Sequence, residues 1–307
     1  MSGEAALGAV AYELGEYESP AEQLDEFAQD PDLAAALLSP DAGFAVYRHT
    51  DSSALQLALP AAQRTLSLAG LDPSDVDAVV VASDCPLGKR DVAEFAAELG
   101  TPSACMFNMG LLDCATAMAA LMLAASLVRD GTFRHVLVVS VDLVDVVSPA
   151  SRILAGGAAV GSDAAATALV SARGPLRITA AAQHRSPELA RSTTTTQGQL
   201  IARIHAHREL FARLAKADDR PPETAARLFP SNFSRRVLRM YLPDVGFSEQ
   251  QIHFDGIGRI GHCLGSDPLI NLADHLRSAE PKPGDGFVLL GSGIAHLGAV
   301  ALRAREP

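Results

Sequence analysis

The sequence predicts an α/β protein made of two similar halves, and three observations carry that expectation. VDAVVVAS (76–83) and HVLVVSVD (135–142) are apolar runs of strand length without polar alternation, as expected of strands covered on both faces. Helical stretches alternate with such strands, the pattern of a sheet sandwiched by helices. The order helix, strand, loop, strand that follows Cys114 also returns after His262, although the two stretches share little identity. A duplicated unit of this kind brings the starts of its two equivalent helices together across a pseudo-two-fold axis.

Taken in order, residues 5–11 predict a first strand and the acidic, Ala/Leu-rich stretch 20–38 a helix. Helical apolar spacing runs from Ser52 to Ala69 and is closed by Gly70-Leu71-Asp72-Pro73 before the 76–83 strand. A short helix over 90–99 stops at Gly100, and a strand at 104–108 leads into the Cys114 segment. After the 135–142 strand comes another at 164–171, AAATALVS. Residues 173–195, with Gly, Pro and a Ser-Thr run, look like the connection between halves. Beyond it, 197–217 predicts an amphipathic helix, 232–241 a basic helix, 251–256 a strand and 268–278 a helix. GFVLLG at 286–291 and LGAVALR at 297–303 close the chain as strands. The halves are expected to span 1–172 and 173–307.

At 307 residues with 48% hydrophobic content, the chain is long and apolar enough for a large core. A formal charge of -11 argues against a nucleic-acid-coating role. The four cysteines show no CxxC or metal-ligand spacing and the start carries no secretory signal, so no metal or other cofactor is expected and a reducing cytoplasm is the natural compartment. No apolar run reaches the roughly 20 residues that span a bilayer, so no membrane role is expected.

The stretch 107–129, FNMGLLDCATAMAALMLAASLVR, sets a cysteine where an extended approach becomes an almost wholly apolar helix. The helix ends with Arg129, Asp130 and Gly131, a cation in the last turn and a glycine after it. Cys114 then stands inside the protein at the positive end of the helix, which lowers a thiol's pKa and favours the nucleophilic thiolate. A buried cysteine that only packs is the competing expectation. Asp113 beside it opposes thiolate formation unless it points away.

In GRIGHCLGSDPLINL, His262 lies five residues before Asp267. A histidine beside a thiol can take its proton and return it, and a carboxylate on the other ring nitrogen fixes the tautomer. Ser266 or Asp267 equally suits the cap of the following helix, whose first turn accepts Pro268. Gly291 and Gly293 follow a strand, and a glycine N–H turned into the site can join that of Cys114 as an oxyanion hole. His205 and His207, two apart on a helix, make a poor metal pair and are expected at the surface or the core edge. Arg235, Arg236 and Arg239 on the basic helix suit either an acidic carrier protein or coenzyme A phosphates, or an ordinary solvated face.

Several stretches together carry a family resemblance. AGLDPSDVDAVVVAS, Cys114 followed by HVLVVSVD, GSDAAAT, LFPSNFSRRVL, IGHCLGSDPL and GDGFVLLGSGIAHLGAVAL resemble the ketoacyl synthase III branch of the thiolase superfamily over nearly the whole chain. The resemblance implies a thiolase-like αβαβα five-layer fold of two duplicated halves, a homodimer, a cysteine acylated through a pantetheine tunnel, and Gly293 as the oxyanion-hole glycine. Condensing members carry a Cys-His-Asn triad, with segments like PHQAN and GNTS. Here Ser231 stands where that His is expected, followed by Asn232, and His262 replaces the Asn. The His-x-x-x-x-Asp spacing looks like acyltransferases of natural-product pathways, with Cys114 as acyl carrier, His262 as base and Asp267 as its orienting group.

These readings predict transfer of an acyl group from an acyl carrier protein or acyl-coenzyme A to a hydroxyl, amine or thiol of a small-molecule or carrier-bound acceptor. The alternatives are a priming condensing enzyme that uses His262 with Ser231 or Asn232, and a non-catalytic partner subunit. Retention of Cys114, His262 and Gly293 together argues against the last.

Overall fold

Two adjacent strands divide the protein into series of opposite position in one sheet, in a computed structural model that describes residues 3–191, 196–218 and 220–305. The first series is β1 (Ala6–Leu14), α1 (Ala54–Ala69), β2 (Ala78–Ala82), α2 (Lys89–Leu99), β3 (Cys105–Met109), α3 (Thr116–Arg129), β4 (His135–Asp142) and β5 (Ala164–Ser171). The second is β6 (Leu176–Arg185), α4 (Thr196–Ala217), β7 (Arg227–Pro230), α5 (Arg235–Tyr241), α6 (Asp255–Ile260), α7 (Asp267–Ser278), β8 (Gly286–Ser292) and β9 (His296–Ala304). Across the sheet the order is β7-β8-β9-β6-β1-β5-β4-β2-β3, so β6 mirrors β1, β9 mirrors β5, β8 mirrors β4 and β7 mirrors β2. Opposite β3 lies a single bridge between Leu228 and Ile252.

Alternation along the strands builds the layers. In β2, Val79 and Val81 pack with Leu55, Leu66 and Phe95 of α1 and α2, whereas Ala78, Val80 and Ala82 face α3 and α7. In β8, Val288 and Leu290 belong to the same core as Ala206 and Leu210 of α4, which itself lies on β6 and β9, whereas Phe287 and Leu289 face the same two central helices. With α3 and α7 between the two half-sheets, the protein is a five-layer αβαβα arrangement, and each strand is covered on both faces. Met118 and Leu121 of α3 are wholly buried, and burying a side chain of that size stabilises by about 1.5–3 kcal/mol.

Local signals set the element ends. A capping box joins Ser53 and Gln56 at the start of α1, and Gly70, in the left-handed region at φ 61°, stops it. Arg129, Asp130 and Gly131 end α3 as the sequence predicts, with φ 81° at the glycine.

Three expectations are corrected. The stretch 173–195 is not simply a connection, because Leu176–Arg185 alternates buried and half-buried residues as β6 and pairs with β9; residues 192–195 lie outside the described residues. Residues 251–256 form no strand: they close a short turn, touch Leu228 once and enter α6. The single helix expected over 20–38 is broken into a 3-10 turn and two short helices, since Pro31 starts a new helix capped by Asp30.

Candidate active site

Cys114 lies in a 3-10 turn, Asp113–Ala115, that feeds α3. Leu111 and Asp113 hold φ of 65° and 51°, a left-handed conformation that costs a non-glycine residue about 1 kcal/mol or more. The turn is held from outside. Asp113 accepts the Ile294 N–H at 3.1 Å, and its charge still helps to push the Cys114 thiol up, as the sequence predicts. Gly291 of β8 lies against the Cys114 carbonyl so closely that a Cβ there would sit 2.2 Å from the oxygen. Only glycine permits that approach.

His262 reaches the same place from the second series. Gly261, at φ 86°, turns the chain out of α6, and its missing Cβ leaves room for the Ser162 hydroxyl. The His262 N–H donates to the Val160 carbonyl and its own carbonyl accepts the Ser162 N–H, both at 2.8 Å, so the loop is tied to the first series. Its Nε2 faces the Cys114 Sγ at 3.3 Å. On the opposite side Nδ1–H donates to Asp267 Oδ2 at 2.5 Å. Asp267 also accepts the Cys263 N–H at 2.7 Å and the Asn232 N–H at 2.6 Å. Neither Asp267 nor Ser266 caps α7; Ser266 donates instead to the Ser140 carbonyl.

Cysteine, histidine and aspartate are 6%, 2% and 0% exposed, so water screens their charges little. Burial pushes the Cys114 thiol up, outweighing the pull of His262 and correcting the expectation of a lowered pKa. Burial also pushes His262 down, but the Cys114 thiolate and the Asp267 carboxylate more than offset it and raise the imidazole to about 10. The two groups thus hold one proton between them, with the ring oriented by Asp267.

Other expected residues take different parts. The Ser231 hydroxyl accepts the Ser292 N–H at 3.0 Å. The Asn232 amide is spent on the Gly261 carbonyl and on Asn271. Gly293 adjoins Asp113, but its N–H donates to the His296 carbonyl at 2.8 Å, so an oxyanion role for it requires that hairpin bond to open. Arg239 is exposed and paired with Asp41 and Glu249, Arg235 is half-buried beside Gly43, and Arg236 is exposed with no ion pair among the described residues.

His207 overturns the expectation of a peripheral histidine. It is 0% exposed, donates through Nδ1 to the Arg203 carbonyl at 2.7 Å and accepts the Ser292 hydroxyl on Nε2 at 2.9 Å. Burial, with Arg203 nearby, pushes it down to about 3, which keeps the ring neutral. Its place on the stripe of Ala206, Leu210 and Leu214 was the available signal. Among the described residues no cluster of His, Cys, Asp and Glu could hold a metal, and no helix is long and apolar enough to cross a membrane.

No protein-family model matches the sequence, and no curated protein does. Solved structures do match. The chain superposes on the 3-oxoacyl-(acyl carrier protein) synthase III FabH of Pseudomonas aeruginosa PAO1 with a TM-score of 0.80 at 21% identity, covering 99% of each chain. It matches the acyltransferase ChlB3 with a TM-score of 0.80 at 20% identity, over 99% of this chain and 98% of that one. A priming β-ketosynthase of a polyketide pathway gives 0.80 at 19% identity, over 100% and 98%. The fold is therefore the thiolase-type fold of the ketoacyl synthase III enzymes.

Proposed function

We propose that the protein is an acyltransferase that carries an acyl group on Cys114 between a thioester donor and a hydroxyl, amine or thiol acceptor. The observation behind this reading is the continuous line Cys114 Sγ, His262 imidazole, Asp267 carboxylate, at 3.3 Å and 2.5 Å. In the first step the thiol passes its proton to His262 Nε2 and the sulfur attacks the thioester carbonyl. The donor's carbon–sulfur bond breaks, and the departing thiolate takes the proton from Nε2. In the second, the acceptor gives its proton to Nε2 and attacks the Cys114 acyl group, and the released Cys114 thiolate recovers the proton. Asp267 keeps Nδ1 protonated throughout, so Nε2 stays the working nitrogen.

Decarboxylative condensation fits these side chains less well. Ser231 supplies no second imidazole, and the Asn232 amide already has partners on both ends. Acyl carrier protein and acyl-coenzyme A thioesters are the donor classes suggested by the matching structures, of which two are named for acyl carrier protein and one holds lauroyl-CoA.

Incubation with acyl thioesters followed by intact-mass measurement tests the proposal. An acyl adduct that vanishes in Cys114→Ala, is transferred to an acceptor, and accumulates in His262→Ala is expected. Carbon dioxide and a β-ketoacyl product from malonyl thioester would replace this reading with condensation. No adduct from any donor would leave a non-catalytic role.

A further inference from the structure

Arg203 of α4 stands beside the catalytic line without a counterion among the described residues. Its Nη1 is closed off from solvent and has no hydrogen-bond partner. Arg48 and Arg305 also bury a nitrogen without a hydrogen-bond partner, but each of them pairs with a carboxylate; Arg235 shares the feature, and it lies beside Gly43 rather than against the Phe233 ring. The Arg203 guanidinium lies over the Phe233 ring at 5.5 Å, and that ring is 5.1 Å from the His262 ring. One aromatic side chain thus separates a cation from the catalytic base. Its neighbours do not neutralise it: His207, four residues on and bonded to its carbonyl, is held neutral, and Tyr241, against His207 at 4.3 Å, is pushed up to about 12 by burial, so it too carries no charge.

A guanidinium cannot shed its proton, and the contact with Phe233 offsets only part of the cost of enclosing it. Although carboxylates are plentiful in a protein of net charge -11, none among the described residues is paired with this arginine, so a carboxylate on a ligand would supply the missing counterion. We infer that Arg203 binds a free carboxylate at the far end of the acyl group on Cys114, making the protein selective for short dicarboxylic acyl groups. The inference rests on Cys114 acylation and deepens it by naming the substrate class. While the sulfur attacks the thioester carbonyl, the distal carboxylate accepts N–H donors from Arg203 and stays ionised. His207 acts as a positioning residue, holding the α4 backbone at Arg203 through its Nδ1–H.

The experiment compares single-turnover acylation by malonyl and succinyl N-acetylcysteamine thioesters with acetyl and butyryl thioesters of the same carrier. These donors contain no phosphate, and the same four acyl groups are then presented on coenzyme A. Wild type is expected to favour the dicarboxylic donors in both series, and Arg203→Leu to lower that preference roughly 10- to 100-fold, the range of a charged hydrogen bond. Arg203→Lys keeps the charge and should retain part of the preference, which excludes a mere folding defect. Equal rates for the two acyl classes in wild type would overturn the inference. An Arg203→Leu effect seen with all coenzyme A donors and with none of the phosphate-free ones would overturn it too, assigning the arginine to phosphate. In either case acylation by the uncharged donors would leave the proposed acyl transfer standing, whereas the absence of any Cys114 adduct would remove both.

Discussion

Asp267 Oδ2 holds the Nδ1–H of His262 at 2.5 Å and also accepts the Asn232 N–H at 2.6 Å, so one carboxylate oxygen ties the His262 ring to the strand end that carries Ser231. In Asp267→Asn, an amide must face donors that a carboxylate accepted, and the ring loses its fixed tautomer. Turnover is expected to fall roughly 10²- to 10⁴-fold with KM little changed, as when the carboxylate of a comparable triad is replaced. Steady-state kinetics against the wild type checks this.

Acylation should change the base. The largest influence raising His262 to about 10 is the Cys114 thiolate, and an acylated sulfur carries no charge. Only Asp267 then holds the imidazole up, so its pKa drops and more of it is neutral, as the second step requires. The rate of transfer from preformed acyl-enzyme should rise with pH through a midpoint well below 10. A midpoint at 10 or above, measured by rapid quench across pH, would contradict the role given to His262.

Gly291→Ala tests the fit between β8 and the turn that carries Cys114. The added methyl group would sit 2.2 Å from the Cys114 carbonyl oxygen and 3.1 Å from the Ala115 Cα, both backbone atoms that no rotamer change can move. A loss of about 1–3 kcal/mol in stability is expected, together with a larger fall in acylation rate, because the turn must shift to relieve the contact. Thermal unfolding and adduct formation measure the two effects.

His207 makes the protein sensitive to acid. Its folded pKa is lowered to about 3 from an ordinary 6.5, so between these values the unfolded chain binds a proton that the folded chain refuses. The resulting penalty is absent above 6.5 and grows as pH falls through 6.5 towards 3. His207→Gln keeps an acceptor for the Ser292 hydroxyl and removes the titration. Denaturant unfolding should therefore show a shallower loss of stability between pH 6.5 and 4 in the variant than in wild type.

Much of the fold was legible because long, uniformly apolar strands leave little ambiguity. The β4 and β5 spans predicted from HVLVVSVD and AAATALVS are the observed ones. Elements that alternate or break were harder to read. In β6 the residues Leu176, Ile178, Ala180 and Ala182 are buried between half-buried neighbours, and flanking Gly and Pro made that stretch look like a linker. At the site, Cys114 and His262 were legible from the residues at two equivalent helix starts. The pairing of Arg239 with Asp41 and the thiol's pKa were not, since both depend on partners distant in the chain.

By itself the sequence determined the α/β alternation, the repeated order of elements and the presence of Cys114, His262 and Asp267, all properties of local pattern and spacing. Tertiary structure alone decided what those groups experience. Burial of the triad turned an expected low thiol pKa into a raised one, and the hairpin bond to His296 occupied the Gly293 N–H. Packing of α4 against β6 and β9 carried His207 and Arg203, distant in the sequence from Cys114, to the edge of the site, where His207 meets Ser292 of β8. Charges and hydrogen bonds depend on distance and dielectric, and a chain sets both only after its remote segments have packed together.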